Sequence, residues 1–214
     1  MQILLCAATS FEIQPAIDLI KDQQIKNVDV LITGVGLTAA TYHLTKAVYT
    51  SRPDFILQAG VAGALDNNMA LSKVVIVNEE VIGDSGVEEH SLFRSLFDLK
   101  LADPNTLPWQ EAKLSNRVET LSKFELPIVN GLTVNEISTN KKRIDYYKSL
   151  NVQIESLEGA ALHYVGLMEH INFLQVRSLS NFIGERDKSK WQLSEAIVNL
   201  NSELQKVILK LVNP

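Results

Sequence analysis

Along the chain, short runs of apolar and β-branched residues alternate with stretches in which apolar residues recur every three to four positions. The first pattern belongs to buried strands and the second to amphipathic helices. Ile3 to Ala8 is a compact apolar run and predicts a central strand, and Glu12 to Lys21 predicts a helix with Ser10 as N-cap. Val28 to Thr33 predicts a second strand, closed by Gly34-Val35-Gly36; Thr38 to Tyr49 predicts a helix that Pro53 brings to an end. Asp54 to Gln58 reads as a third strand closed by Gly60-Val61-Ala62-Gly63, and Lys73 to Val81 as a longer one.

Residues 84 to 112 have weak periodicity and contain Pro104, Pro108 and Trp109, so they read as a long irregular excursion of the kind that usually carries function. Regular patterning then resumes. A short helix is expected over Asn116 to Lys123, a strand over Pro127 to Val134, a helix over Asn140 to Ser149 and a strand over Val152 to Ser156. A helix over Glu158 to Met168, a strand over Phe173 to Ser180 and a long helix over Ser189 to Val212 complete the pattern, with Ser189 and Gln192 at capping-box spacing. No repeat, low-complexity stretch or Gly/Ser/Pro-rich linker divides residues 1–214, so one domain is expected. The alternation predicts an α/β fold: three layers, αβα, around a central mixed, mostly parallel twisted sheet. Ligands in such sheets bind beyond the strand C-termini. The loops after Ala8, Thr33, Gln58, Val134, Ser156 and Ser180 are therefore the places for a site.

Composition narrows the chemistry. The 214 residues carry a formal net charge of −5, which leaves no broad basic footprint for nucleic acid. Lys141-Lys142-Arg143 reads as a solvated helix face, while a small anionic substrate would need only one or two local cations. The single Cys6 excludes an internal disulfide framework and a cysteine-rich zinc site; in its apolar run it reads as a small buried hydrophobe rather than a nucleophile. No apolar run is long enough for a bilayer span and no basic, cleavable leader is evident, so a cytoplasmic location with no membrane partner is expected. None of His43, His90, His163 and His170 has metal-ligand spacing, and no metal or cofactor is expected. His90, in the excursion, is placed to line a site. No G-x-S-x-G elbow is present.

Individual residues at the strand exits carry the candidate chemistry. Gly34-Val35-Gly36 with Ala39 forms G-x-G-x-x-A, which is either a dinucleotide fingerprint or a tight turn for close strand–helix packing. Against the fingerprint, it follows the second strand rather than the first, and the next strand has Asp54 at its start and no acid at its end. Gly60 and Gly63 would let a ligand approach the backbone. Glu12 and Glu158 each start a helix just past a strand, which suits either a favourable first-turn carboxylate or a general acid/base at the sheet edge. Gly159, Ala160 and Ala161 would hold the second of these helices close to the sheet. Asn181 ends a strand, and Gly184-Glu185-Arg186-Asp187 after it reads as a solvated turn.

Taken in order, Glu12, Gly34-Val35-Gly36, Ala59-Gly60-Val61-Ala62-Gly63, Glu155-Ser156-Leu157-Glu158-Gly159-Ala160-Ala161 and Val176-Arg177-Ser178-Leu179-Ser180-Asn181 resemble the landmarks of the nucleoside phosphorylase and nucleosidase superfamily. The resemblance covers nearly the whole chain. It implies a small-molecule nucleoside substrate and a homodimer or larger homo-oligomer. Relative to methylthioadenosine/adenosylhomocysteine nucleosidases, it puts the water-activating glutamate at Glu12, the ribose-binding glutamate at Glu158 and the apolar residue against the ribose at Leu157. Gly60, Val61, Val134 and Asn135 fall among the substrate-lining positions, with Val134 where an aromatic often stacks on the base. The purine-binding aspartate of those enzymes falls at Asn181.

That departure is informative. An asparagine amide presents donors to a 6-oxo group and N7, which suits hypoxanthine or guanine better than adenine. Gly184-Glu185-Arg186-Asp187-Lys188-Ser189-Lys190-Trp191 and Gly83-Asp84-Ser85-Gly86-Val87-Glu88 are similar to the corresponding runs of futalosine hydrolases. This implies hydrolysis of the N-glycosidic bond of futalosine, with release of hypoxanthine, in menaquinone biosynthesis. The turns at Thr33 to Leu37 and Gln58 to Gly63 carry no Arg or Lys to hold phosphate, which favours water as nucleophile. By the same resemblance Glu12, Glu158 and Asn181 are the catalytic residues and Arg177 braces the glutamates. A cation for the benzoate end is unassigned, with Arg94 the first residue to consider. An adenine-releasing nucleosidase and a non-catalytic nucleoside-binding protein are the alternatives; Asn181 opposes the first, and the pair Glu12 and Glu158 the second.

Overall fold

The computed structural model describes residues 1–90 and 92–213. Strand β1 (Ile3–Ala7) is buried at every position. Such a run, without alternation, is what a strand covered on both faces requires. Leu5 and Ala7 pack with Ile13, Ala16 and Ile20 of α1 (Ser10–Asp22) and with Leu200, Leu204 and Ile208 of α6 (Leu193–Val212). Leu4 and Cys6 face the opposite layer, where they meet Ala40, Leu44 and Val48 of α2 (Leu37–Ser51) and Leu162 and Val165 of α5 (Gly159–Met168). Each fully buried leucine in these layers stabilises the fold by about 1.5–3 kcal/mol relative to exposure. Burial of Cys6 pushes its thiol up to about 12, so it is a protonated core residue at neutral pH.

The remaining strands are β2 (Val28–Ile32), β3 (Phe55–Ala64), β4 (Val74–Ile82), β5 (Gly86–Glu89), β6 (Leu92–Ser95), β7 (Leu114–Ser115), β8 (Ile128–Thr133), β9 (Ile154–Ser156) and β10 (Asn172–Phe182). Two further helices are α3 (Val118–Leu121) and α4 (Lys141–Ser149). The main sheet is eight-stranded. Strand β1 pairs in parallel with β2 and β3, and β3 in parallel with β10. Beyond β10 the order runs to β4 (antiparallel), β8 and β9 (both parallel). Strand β9 then returns antiparallel to β3 at Gly63–Glu155. The sheet is mixed and mostly parallel, as the sequence predicts, and part of it closes into a ring.

Ring closure explains the largest departure from the predicted elements. The glycine-bearing run 60–63, expected as a turn after Gln58, continues β3 to Ala64. With β10 on one edge and β9 reaching the other, the backbone hydrogen bonds outweigh the weak strand preference of glycine. Other boundaries shift for local reasons. Thr9, not Ser10, caps α1. The expected capping box of Ser189 and Gln192 does not form; Asp187 accepts the Ser189 amide at 3.0 Å and opens a 3-10 turn at Lys188–Lys190, and α6 starts later, at Leu193. The excursion contains the β5–β6 hairpin. Arg143, read as part of a solvated face, pairs with Glu88 of that hairpin and lies 4.4 Å over the Phe93 ring.

Helix α1 is kinked at Ile13 (φ −125°, ψ 15°), two residues before Pro15. Both sides of the kink are held by Asn201 of α6: its Nδ2 donates to the Glu12 carbonyl at 2.8 Å, and its Oδ1 accepts the Ala16 amide at 3.2 Å. No described helix is long and apolar enough to cross a membrane.

Candidate active site

A cavity of about 340 Å³ opens beyond the C-terminal ends of β1, β9 and β10 and over the C-terminal half of β3. Its walls include Glu12, Val61, Gly63, Glu155, Leu157, Glu158 and Asn181, with Phe11, Val35, Ile137, Arg186 and Trp191 also in the lining.

Glu12 is 8% exposed. Its Oε2 accepts from the Thr9 amide (3.1 Å) and hydroxyl (2.9 Å), and its Oε1 from the Val61 amide (3.1 Å). The kink at Ile13 ends the first helical turn right after this carboxylate and keeps it at the cavity. Gly60 explains the close approach of β3: a Cβ there would stand 3.0 Å from Glu12 Oε1 and 2.5 Å from the Arg177 guanidinium.

Glu158, at the N-cap of α5, is 6% exposed. Its Oε1 accepts the Gly36 amide at 2.9 Å, and Arg177 lies 3.7 Å from its Oε2. Gly36 has φ +95° and ψ 159°, a conformation reserved for glycine. The Gly34-Val35-Gly36 turn therefore aims one of its amides at a carboxylate of the same chain.

Asn181 follows an irregularity in the β3–β10 register between Leu179 and Asn181, which re-aims the strand end. Its orientation is determined by its neighbours. The Phe182 carbonyl can only accept, so the amide turns Nδ2 toward it at 3.1 Å; Oδ1 then accepts the Ser180 hydroxyl at 2.8 Å. One N–H of Nδ2 is left for a ligand. Gly63 pairs with Asn181 on one side and Glu155 on the other, which puts the amide and a carboxyl in one row across three strands. Burial pushes Glu155 up to about 7, helped by the charge of Asp84, and its Oε2 has no hydrogen-bond partner among the described residues.

Other sequence candidates lie elsewhere. Val134 is fully buried in an apolar cluster, and its amide is taken by the Ser156 carbonyl at 3.1 Å. The Asn135 amide donates to Asp84 at 2.5 Å, and its side chain lines a neighbouring cavity. Ile137 reaches the main cavity from the same loop. His90 sits at the hairpin turn and does not line this cavity; Arg94 donates to the Asp98 carbonyl on the same hairpin, also away from it. His163 is fully buried, pushed down to about 4 by burial, with Nδ1 2.8 Å from the Leu114 carbonyl. Among the described residues no group of three or more His, Cys, Asp or Glu side chains could hold a metal ion.

Beneath the cavity runs a polar chain that the sequence pattern does not reveal. The Arg177 guanidinium, 2% exposed, donates to Gln175 and Gln58 at 3.0 Å each. Gln175 donates in turn to Glu80 at 3.0 Å, and Thr133 to the other Glu80 oxygen at 2.9 Å. Glu80 is fully buried, and burial pushes it up to about 7 despite these donors. Side chains at Gly131 and Gly159 would collide with it. Glu80 and Gln175 are polar residues within apolar strands, and nothing in the sequence pattern ties them to each other or to Arg177.

Comparison with known proteins identifies the family to which the chain belongs. The family model of the phosphorylase superfamily matches residues 22–213. This chain belongs to the phosphorylase superfamily. A futalosine hydrolase of Thermus thermophilus is 27% identical over 182 residues, which is 83% of this chain and 80% of that protein. A 5'-methylthioadenosine/S-adenosylhomocysteine nucleosidase of Maridesulfovibrio salexigens is 23% identical over 172 residues, 76% and 71% of the two chains. Among solved structures, a mutant of the Helicobacter pylori nucleosidase of that name, with 5'-methylthioadenosine in its active site, superposes with a TM-score of 0.79 over 98% of both chains at 15% identity, a likeness of fold. In this phosphorylase-superfamily cavity Arg186 is the only cation of the described lining, because Arg177 is engaged below it.

Proposed function

We propose that the chain is a nucleosidase that hydrolyses the N-glycosidic bond of a 6-oxopurine nucleoside, with futalosine as substrate and hypoxanthine as the released base. One observation carries the base assignment: Asn181 lines the cavity, and with its amide held by Phe182 and Ser180 one N–H is left without a partner among the described residues. Purine N7 and a 6-oxo group are acceptors, whereas a 6-amino group is a donor and would need an acceptor there. The names of the Thermus and Maridesulfovibrio relatives support glycosidic hydrolysis as the reaction class.

In this reading Glu158 grips the ribose hydroxyls and stabilises the oxocarbenium-like cation that forms as the C1'–N9 bond breaks. The bond electrons leave with the purine, and the Asn181 N–H stabilises the charge they bring. Glu12 orients a water molecule and takes its proton as the oxygen bonds to C1'. The departing base acquires a proton from solvent, so that nucleoside and water become free hypoxanthine and a free sugar. Leu157 and Val61 wall the sugar, and Arg177 holds Glu158 from below.

Chromatography of purified enzyme with futalosine in phosphate-free buffer tests this. The expected result is stoichiometric free hypoxanthine. Release that requires added phosphate would make the chain a phosphorylase, and adenine release from methylthioadenosine in preference to hypoxanthine would overturn the base assignment.

A further inference from the structure

We propose that Arg186, lying over Trp191 at the cavity mouth, forms a subsite for an aromatic carboxylate carried on the 5' carbon of the nucleoside. This rests on the nucleosidase reading above and adds the part of the substrate that the base and ribose positions leave unassigned.

Three observations support it. Arg186 takes no part in any ion pair among the described residues, although its neighbours Glu185 and Lys190 pair with each other at 2.7 Å. Its guanidinium lies 5.6 Å from the centroid of the Trp191 ring, whose Nε1 donates to the Glu185 carbonyl at 3.1 Å. The charge is thus presented on a platform braced by its own loop. Second, the rim beside it is apolar and open: Phe11 is 67% exposed, Val35 60% and Ile137 47%, and all three line the cavity. An aryl ring entering there covers exposed apolar surface.

Third, the charges are ordered along the cavity. Glu12, Glu155 and Glu158 line its interior, and Arg186 is the only cation of the described lining. An anionic substituent is repelled from the interior and drawn to the mouth, where a guanidinium can engage both carboxylate oxygens. A nucleoside with its base at Asn181 and its hydroxyls on Glu158 has only the C4' substituent free to extend outward. The charge gradient therefore sets the direction of entry as well as the class of tail.

Steady-state kinetics on futalosine and inosine, which shares the base and ribose but lacks the aryl carboxylate, test the assignment. For Arg186→Glu the ratio of kcat/KM for futalosine to that for inosine is expected to fall about 10- to 100-fold, mainly through KM for futalosine, as for loss of a hydrogen bond to a charged group. Arg186→Lys should keep part of the ratio. Lys188→Ala, a cation of the same run outside the lining, should leave it unchanged, and melting curves confirm that each variant is folded. A wild-type ratio at or below one, or a ratio unaffected by Arg186→Glu, overturns the subsite while hypoxanthine release from inosine leaves the nucleosidase reading intact. Absence of release from both nucleosides overturns that reading, and the subsite with it.

Discussion

The Glu158 carboxylate accepts the backbone N–H of Gly36 across a sequence separation of 122 residues. A G-x-G motif that reads as either a dinucleotide fingerprint or a tight packing turn thus supports a carboxylate. The consequence is testable at Gly36, where a Cβ would meet nothing within 4 Å, so that backbone strain alone opposes substitution. Gly36→Ala is expected to lower stability by about 1–3 kcal/mol. It should also reduce kcat/KM for nucleoside hydrolysis about 10-fold as the donor to Glu158 shifts. Thermal melts and steady-state kinetics on the same sample check both. A variant with a lowered melting point and full activity would show that the turn does not position Glu158.

Glu12→Gln keeps an oxygen for the Val61 amide but loses an acceptor for Thr9. The fold should survive with a loss near 1 kcal/mol. Turnover should fall by about 100-fold or more, as for loss of a general base. Circular dichroism and a hypoxanthine-release assay separate the two effects. Turnover within a few-fold of wild type would remove Glu12 from the mechanism.

Asn181→Asp places a carboxyl oxygen opposite the Phe182 carbonyl, where Nδ2 now donates. Two acceptors face each other there unless the acid carries a proton. Hypoxanthine release should weaken, 6-amino substrates should gain relative to 6-oxo substrates, and the remaining activity should rise toward acidic pH. Competition between inosine and adenosine across a pH series measures this. An unchanged preference would defeat the base assignment.

Glu80 supplies a pH-dependent contribution to stability. Its folded-state value, about 7, lies above the ordinary glutamate value of 4.5, so the native state binds the extra proton between them. Stability contributed by the neutral form is present at low pH and declines as pH rises from about 4.5 through about 7. Glu155 acts in the same direction, while His163, pushed down to about 4 by burial, acts in the opposite one between about 4 and 6.5. Glu80→Gln mimics the neutral acid and should raise the melting temperature by several degrees at pH 8, with the gain shrinking toward pH 5. Equal shifts at both pH values would mean that Glu80 does not titrate in this range.

Much of the fold is legible in the sequence because strand and helix periodicities rarely conflict along this chain. Glu12, Glu158 and Asn181 are visible as polar residues just past apolar strands, and the structure brings them around one cavity. What escapes is whatever depends on closure between distant strands. Gly60 to Gly63 looks like a turn because glycine is a poor strand former, and becomes strand only between β10 and β9. Glu80 and Gln175 pass without notice because their hydrogen bond joins strands distant in sequence. Arg94 and Arg186 are indistinguishable as cations in irregular segments; their loops separate them, one on the hairpin and one at the mouth. Val134 and Asn135 share that limit, since their amides are already engaged by Ser156 and Asp84.

Asn201 has a consequence for synthesis. It ties the Glu12 carbonyl and the Ala16 amide to the last helix, across separations of 189 and 185 residues. During translation, residue 12 leaves the ribosome among the first, whereas the residue that ties both sides of its kink to α6 is made near the end of these 214 residues. A nascent chain stalled before Asn201 therefore lacks both ties between the first and last helices, while the Thr9 and Val61 contacts of the Glu12 carboxylate need neither.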